Sequence, residues 1–145
     1  MHVNMKKILL FISALMLLVS CGGDKGGQQT ELTLEQKLCS EWHSTTLSLD
    51  ADIYISFDEN KTFELYQKIV EGAYRLYRGT WNLEEDILTG KYNDGEDWAA
   101  AYQISIDGET LTMTSMNDAA EVSVYKKAEI PSSVKETSET IVKSL

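Results

Sequence analysis

The chain has 145 residues with a formal net charge of −10, and 43% of its residues are hydrophobic. This length fits a single domain, and the mixture of apolar and charged residues excludes a wholly disordered chain. The acidic balance argues against a nucleic-acid-binding protein, because few cations are present to neutralise phosphates. Two cysteines and two histidines are too few for a disulfide framework or a zinc module.

The first twenty residues have the pattern of an export signal. Lys6 and Lys7 precede an apolar run over residues 8–19. A helix over this run would reach only about 18 Å, which is shorter than the roughly 30 Å hydrocarbon core of a membrane. A basic start, a short apolar centre and small residues at the end indicate a secretory signal rather than a permanent span. We therefore expect residues 1–20 to be removed.

Cys21 directly follows this signal. The sequence Leu18-Val19-Ser20-Cys21 resembles the lipobox of bacterial lipoproteins, in which cleavage precedes the cysteine and the thiol receives lipid. The resemblance makes Cys21 the predicted lipidation site, and an ordinary secretory signal is the alternative. The glycine-rich residues 21–31 predict a flexible tether. Removing residues 1–20 takes away two lysines and no acidic residue, so the mature chain would carry a net charge of −12.

The first predicted element after the tether is a short helix over residues 33–39. Thr33 is its expected N-cap and Gln36 the capping-box partner, with Leu34 and Leu38 on the apolar face. From Trp42 onwards apolar and polar residues alternate with a period of two, which is typical of strands. The predicted strands, in chain order, span residues 42–49, 53–57, 63–69, 74–83, 87–92, 98–106, 111–114 and 122–127.

The connections between these strands are short, and Asp107-Gly108 is a strong hairpin signal. No intervening helix is long enough for a parallel crossover, so consecutive strands are expected to pair antiparallel. Eight such strands hide their edges by closing on themselves. The predicted fold is therefore all-β, an eight-stranded antiparallel up-and-down barrel over residues 32–131, with a two-sheet sandwich as the alternative. Residues 132–145 are mostly polar and predict a weak helix or a polar tail, to which no site is assigned.

Several segments share a family pattern. They are Leu38-Cys39-Ser40-Glu41-Trp42, Tyr77-Arg78-Gly79-Thr80-Trp81, residues 88–95 and Thr110-Leu111-Thr112-Met113-Thr114. Through them, residues 32–131 resemble the lipocalin-like domains of lipoproteins from anaerobic Gram-negative bacteria, with Ser40 where the lipocalin Gly-x-Trp opening has glycine. The resemblance implies a β-barrel and an outer-membrane lipoprotein that faces the periplasm or the cell surface. It carries over neither catalytic residues nor a cofactor.

The interior of an eight-stranded barrel is either filled by side chains or holds one small ligand. The inward face is expected to be apolar, so any guest would be apolar or amphipathic. The residues assigned to this face are Ile53, Ile55, Phe57, Phe63, Leu65, Leu83, Leu88, Ile104, Ile106, Leu111, Met113, Val122 and Val124. The alternative is that these residues simply fill the core.

Candidate ligand contacts are the aromatic residues Trp81, Trp98 and Tyr102, since aromatic rings in a barrel mouth stack on flat ligands. Arg75 and Arg78 are candidates to clamp a ligand carboxylate, because a guanidinium binds a carboxylate through two hydrogen bonds. For each of these five residues the alternative is packing or a solvated strand face. Trp42, next to the predicted helix, is expected to plug the barrel floor.

An enzyme is not predicted. The sequence has no glycine-rich phosphate loop, no Gly-x-Ser-x-Gly elbow and no Cys-x-x-Cys pair, and His43 has no recognisable nucleophile partner. No metal site is assigned. Two functions therefore stay open. One is a membrane-tethered barrel that binds a small apolar or amphipathic ligand, and the other is a solid barrel whose acidic surface docks another envelope protein.

Overall fold

The computed structural model describes residues 30–46, 51–69 and 71–141. The predicted export signal, Cys21 and most of the predicted tether lie outside the described residues. The helices are α1 (Leu34–Leu38) and α2 (Ser132–Thr137). The strands are β1 (Glu41–Ser44), β2 (Asp52–Phe57), β3 (Thr62–Lys68), β4 (Arg75–Glu84), β5 (Ile87–Tyr92), β6 (Tyr102–Asp107), β7 (Thr110–Ser115), β8 (Val122–Lys127) and β9 (Glu139–Thr140).

Strands β1 to β8 form a closed antiparallel barrel. Each strand pairs with the next along the chain, and β8 returns to pair with β1, for example at Ser44 and Tyr125. The pairing between β3 and β4 completes the ring of strands, so no strand edge is left open between them. These pairings confirm the predicted up-and-down barrel and exclude the two-sheet sandwich, because a sandwich would leave two separate sheets.

Helix α1 lies where the sequence places it and closes one end of the barrel. The Gln36 amide donates to the Thr33 hydroxyl at 3.2 Å, and the Thr33 amide donates to the Gln36 side-chain oxygen at 2.9 Å. This capping box satisfies two amides that would otherwise lack partners. Leu38 is fully buried, and the indole of Trp42 donates to the Leu38 carbonyl oxygen at 3.0 Å. The helix is therefore fastened to β1 directly beneath the barrel.

The main core occupies the barrel end next to α1, which we call the closed end. Its buried members are Leu38, Trp42, Ile55, Phe57, Phe63, Trp81, Leu88, Ile104, Leu111 and Met113. The chain packs tightly where β4 and β5 pair, because a Cβ atom on Gly79 would lie 1.9 Å from the carbonyl oxygen of Lys91. Only glycine fits this approach.

A smaller core lies on the outer wall of the barrel. Tyr66 on β3 and Leu76 on β4 are each 3% exposed because Ile130 and Val134 cover them. Helix α2 supplies Val134, and β9 then pairs parallel with the start of β4. The mostly polar segment 132–141 thus packs against the wall through one buried valine. None of the helices in the described ranges is long and apolar enough to cross a membrane.

Three strands differ from the sequence expectation. β1 ends at Ser44, short of the predicted residue 49, and residues 47–50 lie outside the described residues. β6 begins at Tyr102 rather than at residue 98, because the Trp98 amide donates to the Gly90 carbonyl oxygen at 2.9 Å and residues 98–101 form a loop. The expectation that the valines of β8 point inward is wrong. Tyr125 pairs with Leu111 and packs against the core, so Val122, which is 56% exposed, lies on the other face with Val124.

Candidate functional site

A cavity of about 480 Å³ lies in the barrel end away from α1, which we call the open end because the cavity is open to solvent there. Ligand-binding cavities commonly measure roughly 300–1,000 Å³. The residues that line the cavity in this barrel are Ile53, Ile55, Leu65, Gln67, Tyr77, Tyr92, Trp98, Ala99, Tyr102, Met113, Glu121, Ser123 and Tyr125. The barrel is therefore filled at the closed end only, and its interior is not the solid core that the sequence left open as an alternative.

Five aromatic side chains make up much of the cavity wall. Tyr77 and Tyr92 lie edge to face with ring centroids 6.0 Å apart, and so do Trp98 and Tyr102. Tyr125 completes the set from β8. Edge-to-face pairs at such distances stabilise a fold by about 0.5–1.5 kcal/mol each. The wall therefore has a defined arrangement before any ligand enters.

Trp98 reaches the cavity because its loop folds back against β5. β5 and β6 share only two residue pairs, and the loop occupies the rest of the β5 edge. Gly90 makes room for the indole, since a Cβ atom there would lie 2.1 Å from a ring carbon of Trp98. Phe63 supports the indole from below, with centroids 5.1 Å apart. The missing side chain at Gly90 thus sets where Trp98 lies.

The polar groups of the cavity are mostly uncharged. Burial raises the pKa of the Tyr125 hydroxyl to about 12. Burial also raises the pKa of Tyr102, and the nearby Glu121 carboxylate raises it further. Both hydroxyls are therefore protonated at neutral pH. Among the described lining residues Glu121 alone carries a formal charge.

Glu121 is held in place at the open end by Ser115. The Glu121 amide donates to the Ser115 hydroxyl at 2.8 Å, and the Ser115 amide donates to the Glu121 carbonyl oxygen at 2.9 Å. Ser115 is buried at the end of β7. The backbone that carries the carboxylate is therefore fixed although the Glu121 side chain is exposed.

Of the predicted aromatic contacts, the structure brings Trp98 and Tyr102 to the cavity but not Trp81. Trp81 is 3% exposed, and its indole donates to the Thr62 carbonyl oxygen at 3.0 Å. The ammonium of Lys61 lies 4.3 Å from its ring centroid. Trp81 is therefore a packed core residue of the closed end and does not line the cavity. Trp42 is likewise buried there, as described above for the contact with Leu38.

The two arginines do not assemble the predicted carboxylate clamp. They lie three positions apart on β4, and side chains at odd spacing on a strand point to opposite faces. Arg78 lies on the outer wall, where its Nε donates to a carboxylate oxygen of Glu64 at 2.7 Å. Arg75 lines a neighbouring depression of about 370 Å³, which shares only Gln67 with the cavity.

The sequence reasoning missed most of the polar and tyrosine lining. Tyr77 and Tyr92 face each other on adjacent strands, and Ser123 lies beside Tyr125 on the inward face of β8. The signal that would have found them is strand register. Once Leu111 is placed inward, its partner Tyr125 must be inward too.

A second polar cluster lies on the outer wall. A ring nitrogen of His43 lies 2.6 Å from one carboxylate oxygen of Asp52, and the Tyr74 hydroxyl donates to the other. Tyr54 stacks on the imidazole with centroids 4.2 Å apart. The carboxylate thus joins β1 to the start of β4. Within the described part of the chain, no group of three or more metal-ligating side chains is arranged to hold a metal ion.

Comparison with known proteins identifies the barrel. Residues 28–113, more than half of the chain, match a family model described as a lipocalin-like domain. An NMR structure of a protein from Bacteroides uniformis is similar, with a TM-score of 0.56 and 18% sequence identity over 70% of this chain and 97% of that chain. At this identity the likeness shows the fold alone. No curated protein matches the chain significantly.

Proposed function

The chain belongs to the lipocalin-like domain family, and from this premise we propose that it binds one small apolar or amphipathic ligand in the open end of its barrel. The observation that carries the proposal is the cavity of about 480 Å³. Its aliphatic and aromatic wall would remove the apolar surface of a guest from water, which stabilises a complex by about 25 cal/mol per Å² before the costs of association. The proposed role is binding rather than catalysis.

The proposal also makes the protein a lipid-anchored lipoprotein of the cell envelope, held at the outer membrane. The lipobox-like Leu18-Val19-Ser20-Cys21 and the glycine-rich residues after it support this. A single acyl chain anchors only marginally, whereas more than one chain holds a protein stably. The mature net charge of −12 disfavours attachment to anionic lipids by charge. The acyl chains on Cys21 would therefore provide the attachment.

Filling the cavity tests the binding role. Ser123 lines the cavity, whereas Ser105 is exposed on the outer face of β6. We expect the protein to bind the neutral apolar probe N-phenyl-1-naphthylamine saturably. We expect Ser123→Phe to weaken that binding at least about tenfold, or ~1.4 kcal/mol, and Ser105→Phe to leave it unchanged. Absence of saturable binding, or equal binding by both variants, would contradict the proposal.

The anchor is tested through the two cysteines. In a Gram-negative host fed labelled palmitate, the full chain should be labelled and sediment with membranes. Cys21→Ser should lose both properties. Cys39→Ser is the matched control, since Cys39 lies half-buried beside the closed end. Label on the Cys21→Ser variant would refute the lipid anchor without affecting the binding proposal.

A further inference from the structure

The charged residues that line the open end are mostly acidic. Glu121 is the charged member of the described cavity lining, and no lysine, arginine or histidine is among those residues. The adjoining depression adds Glu71, Glu139 and Arg75. The two linings together hold three carboxylates and one guanidinium. Lys68, between Gln67 and Ile69, is in neither lining, and its ammonium lies 5.7 Å from the Tyr74 ring centroid. A cleft lined by one sign of charge concentrates ions of the opposite sign and disfavours ions of the same sign.

The aromatic wall favours the same kind of guest. Aromatic faces attract a cation within about 6 Å of the ring centroid, and rings in a desolvated site do so most strongly. The Glu121 carboxylate is close enough to Tyr102 to raise the pKa of its hydroxyl, and Trp98 packs edge to face against the Tyr102 ring. Tyr102 and Tyr125 are neutral at physiological pH, and burial raises the pKa of each further above it. The rings thus add no negative charge of their own and offer polarisable surface next to one carboxylate.

An anionic head group has no cationic partner among the described lining residues, which offer it only neutral donors. A carboxylate is bound most strongly where a cation pairs with it. Arg78 is engaged with Glu64 on the outer wall, and Arg75 lies outside the cavity beside Glu139, its neighbour in the β4–β9 pairing. Bringing a carboxylate to the cavity would place it against Glu121 instead. A fatty-acid anion is therefore disfavoured.

We propose that the cavity selects an amphipathic ligand with a cationic head, an alkylammonium group that lies against Trp98 and Tyr102 with its charge opposed to Glu121. The alkyl part occupies the deeper aliphatic wall formed by Ile55, Leu65 and Met113, which also belong to or pack on the main core. This inference rests on the proposed function, since it assigns the chemical class of the ligand in the same cavity.

Three ligands with one chain length and different head groups test the assignment. Isothermal titration at pH 7 and low salt compares octyltrimethylammonium, 1-octanol and octanoate. The expected order of affinity is ammonium, then alcohol, then carboxylate. Added salt should weaken the binding of the ammonium ligand and leave the alcohol unchanged, because only the ammonium interaction is screened.

Two pairs of variants locate the head group. Glu121→Gln should weaken the binding of octyltrimethylammonium about two- to fivefold, which is the range of an exposed ion pair. The same change should leave the binding of 1-octanol unchanged. Glu109→Gln is the control, because Glu109 lies in the β6–β7 turn at the closed end. Tyr102→Leu should weaken the binding of the ammonium ligand about two- to tenfold, because the aromatic ring is lost. Tyr102→Phe keeps the ring and should leave this affinity unchanged.

The outcomes separate this inference from the proposed function. Tightest binding of octanoate, or an ammonium affinity that Glu121→Gln leaves unchanged, overturns the cationic assignment while the barrel remains a binding protein. If neither these ligands nor N-phenyl-1-naphthylamine binds, the proposed function fails and this inference fails with it. The expected order together with the Glu121→Gln loss establishes the assignment.

Discussion

The two ends of the barrel use the same residue type in opposite ways. At the closed end Trp42 and Trp81 are at most 3% exposed, and each indole donates to a backbone carbonyl oxygen. At the open end Trp98 is partly exposed and lines the cavity. The buried indoles satisfy the hydrogen-bonding requirement of a core, and the third presents ring surface to an incoming molecule. The role of a tryptophan in this barrel thus follows from its distance from α1.

Side-chain volume explains why one end is full and the other is not. The closed end stacks Phe57, Phe63 and Leu111 above a helix that is fastened by its own capping box. The open end has Ser123 and Ala99 among its inward positions, and no helix in the described ranges covers it. Protein interiors are close-packed wherever side chains can meet. Small residues at the open end leave the space that forms the cavity.

The largest expected difference between the ends comes from two matched leucines on inward strand faces. Leu111 is fully buried at the closed end, whereas Leu65 lines the open cavity. Leu111→Ala should lower the free energy of unfolding by about 3 kcal/mol, because the site cannot refill. Leu65→Ala should cost about 1 kcal/mol or less, since its side chain already borders open space. Urea unfolding midpoints measure both, and equal costs would mean that the ends are equally packed.

The two tryptophans give the next largest effect. Trp81→Phe should cost about 2 kcal/mol in unfolding free energy, from a lost indole hydrogen bond and a small cavity. Trp98→Phe should cost less than about 1 kcal/mol. Ligand-induced change in tryptophan fluorescence should persist in Trp81→Phe and disappear in Trp98→Phe. A fluorescence change that persists in Trp98→Phe and disappears in Trp81→Phe would place the ligand at the closed end.

The pKa of the Tyr125 hydroxyl tests whether solvent reaches this group at the open end. Its folded pKa of about 12 lies above the ordinary value of 10.0 because burial favours the neutral hydroxyl. The resulting stabilisation is fully present below pH 10 and is lost as the pH rises through 12, where the unfolded chain binds fewer protons. We expect the wild type to lose about 1–2 kcal/mol more than Tyr125→Phe over this interval. Parallel losses in urea titrations at successive pH values would show that solvent reaches the hydroxyl.

The fold could be predicted from the sequence because its determinants are local. Period-two alternation and short turns define the strands, and Thr33 with Gln36 defines the start of α1 without reference to any distant residue. Closure then follows from the need to pair strand edges. The structure deviates from the sequence expectation where a residue on another strand determines the local conformation. Trp98 interrupts its strand because Gly90, on the neighbouring strand, leaves a site for the indole.

The candidate site was harder to predict because it depends on register and volume. Residue type alone does not distinguish Trp81 from Trp98, since both follow polar residues in aromatic-rich segments. Hydropathy places Val122 and Val124 on the inward face of β8, but pairing with β7 turns Tyr125 inward instead. Whether the interior is empty depends on the summed size of residues from seven segments of the chain. That sum is available only once the barrel is assembled.

The two arginines give the smallest expected effects and the finest test of the comparison between the ends. Arg78 pairs with Glu64 on the outer wall, so Arg78→Gln should change the free energy of unfolding by less than about 1 kcal/mol and leave ligand affinity unchanged. Arg75→Gln removes the cation beside the opening and should strengthen octyltrimethylammonium binding by about twofold or less. Titration calorimetry measures both variants. A loss of affinity in Arg78→Gln as large as that expected for Ser123→Phe would move the binding site from the open end to the outer wall, where Arg78 pairs with Glu64.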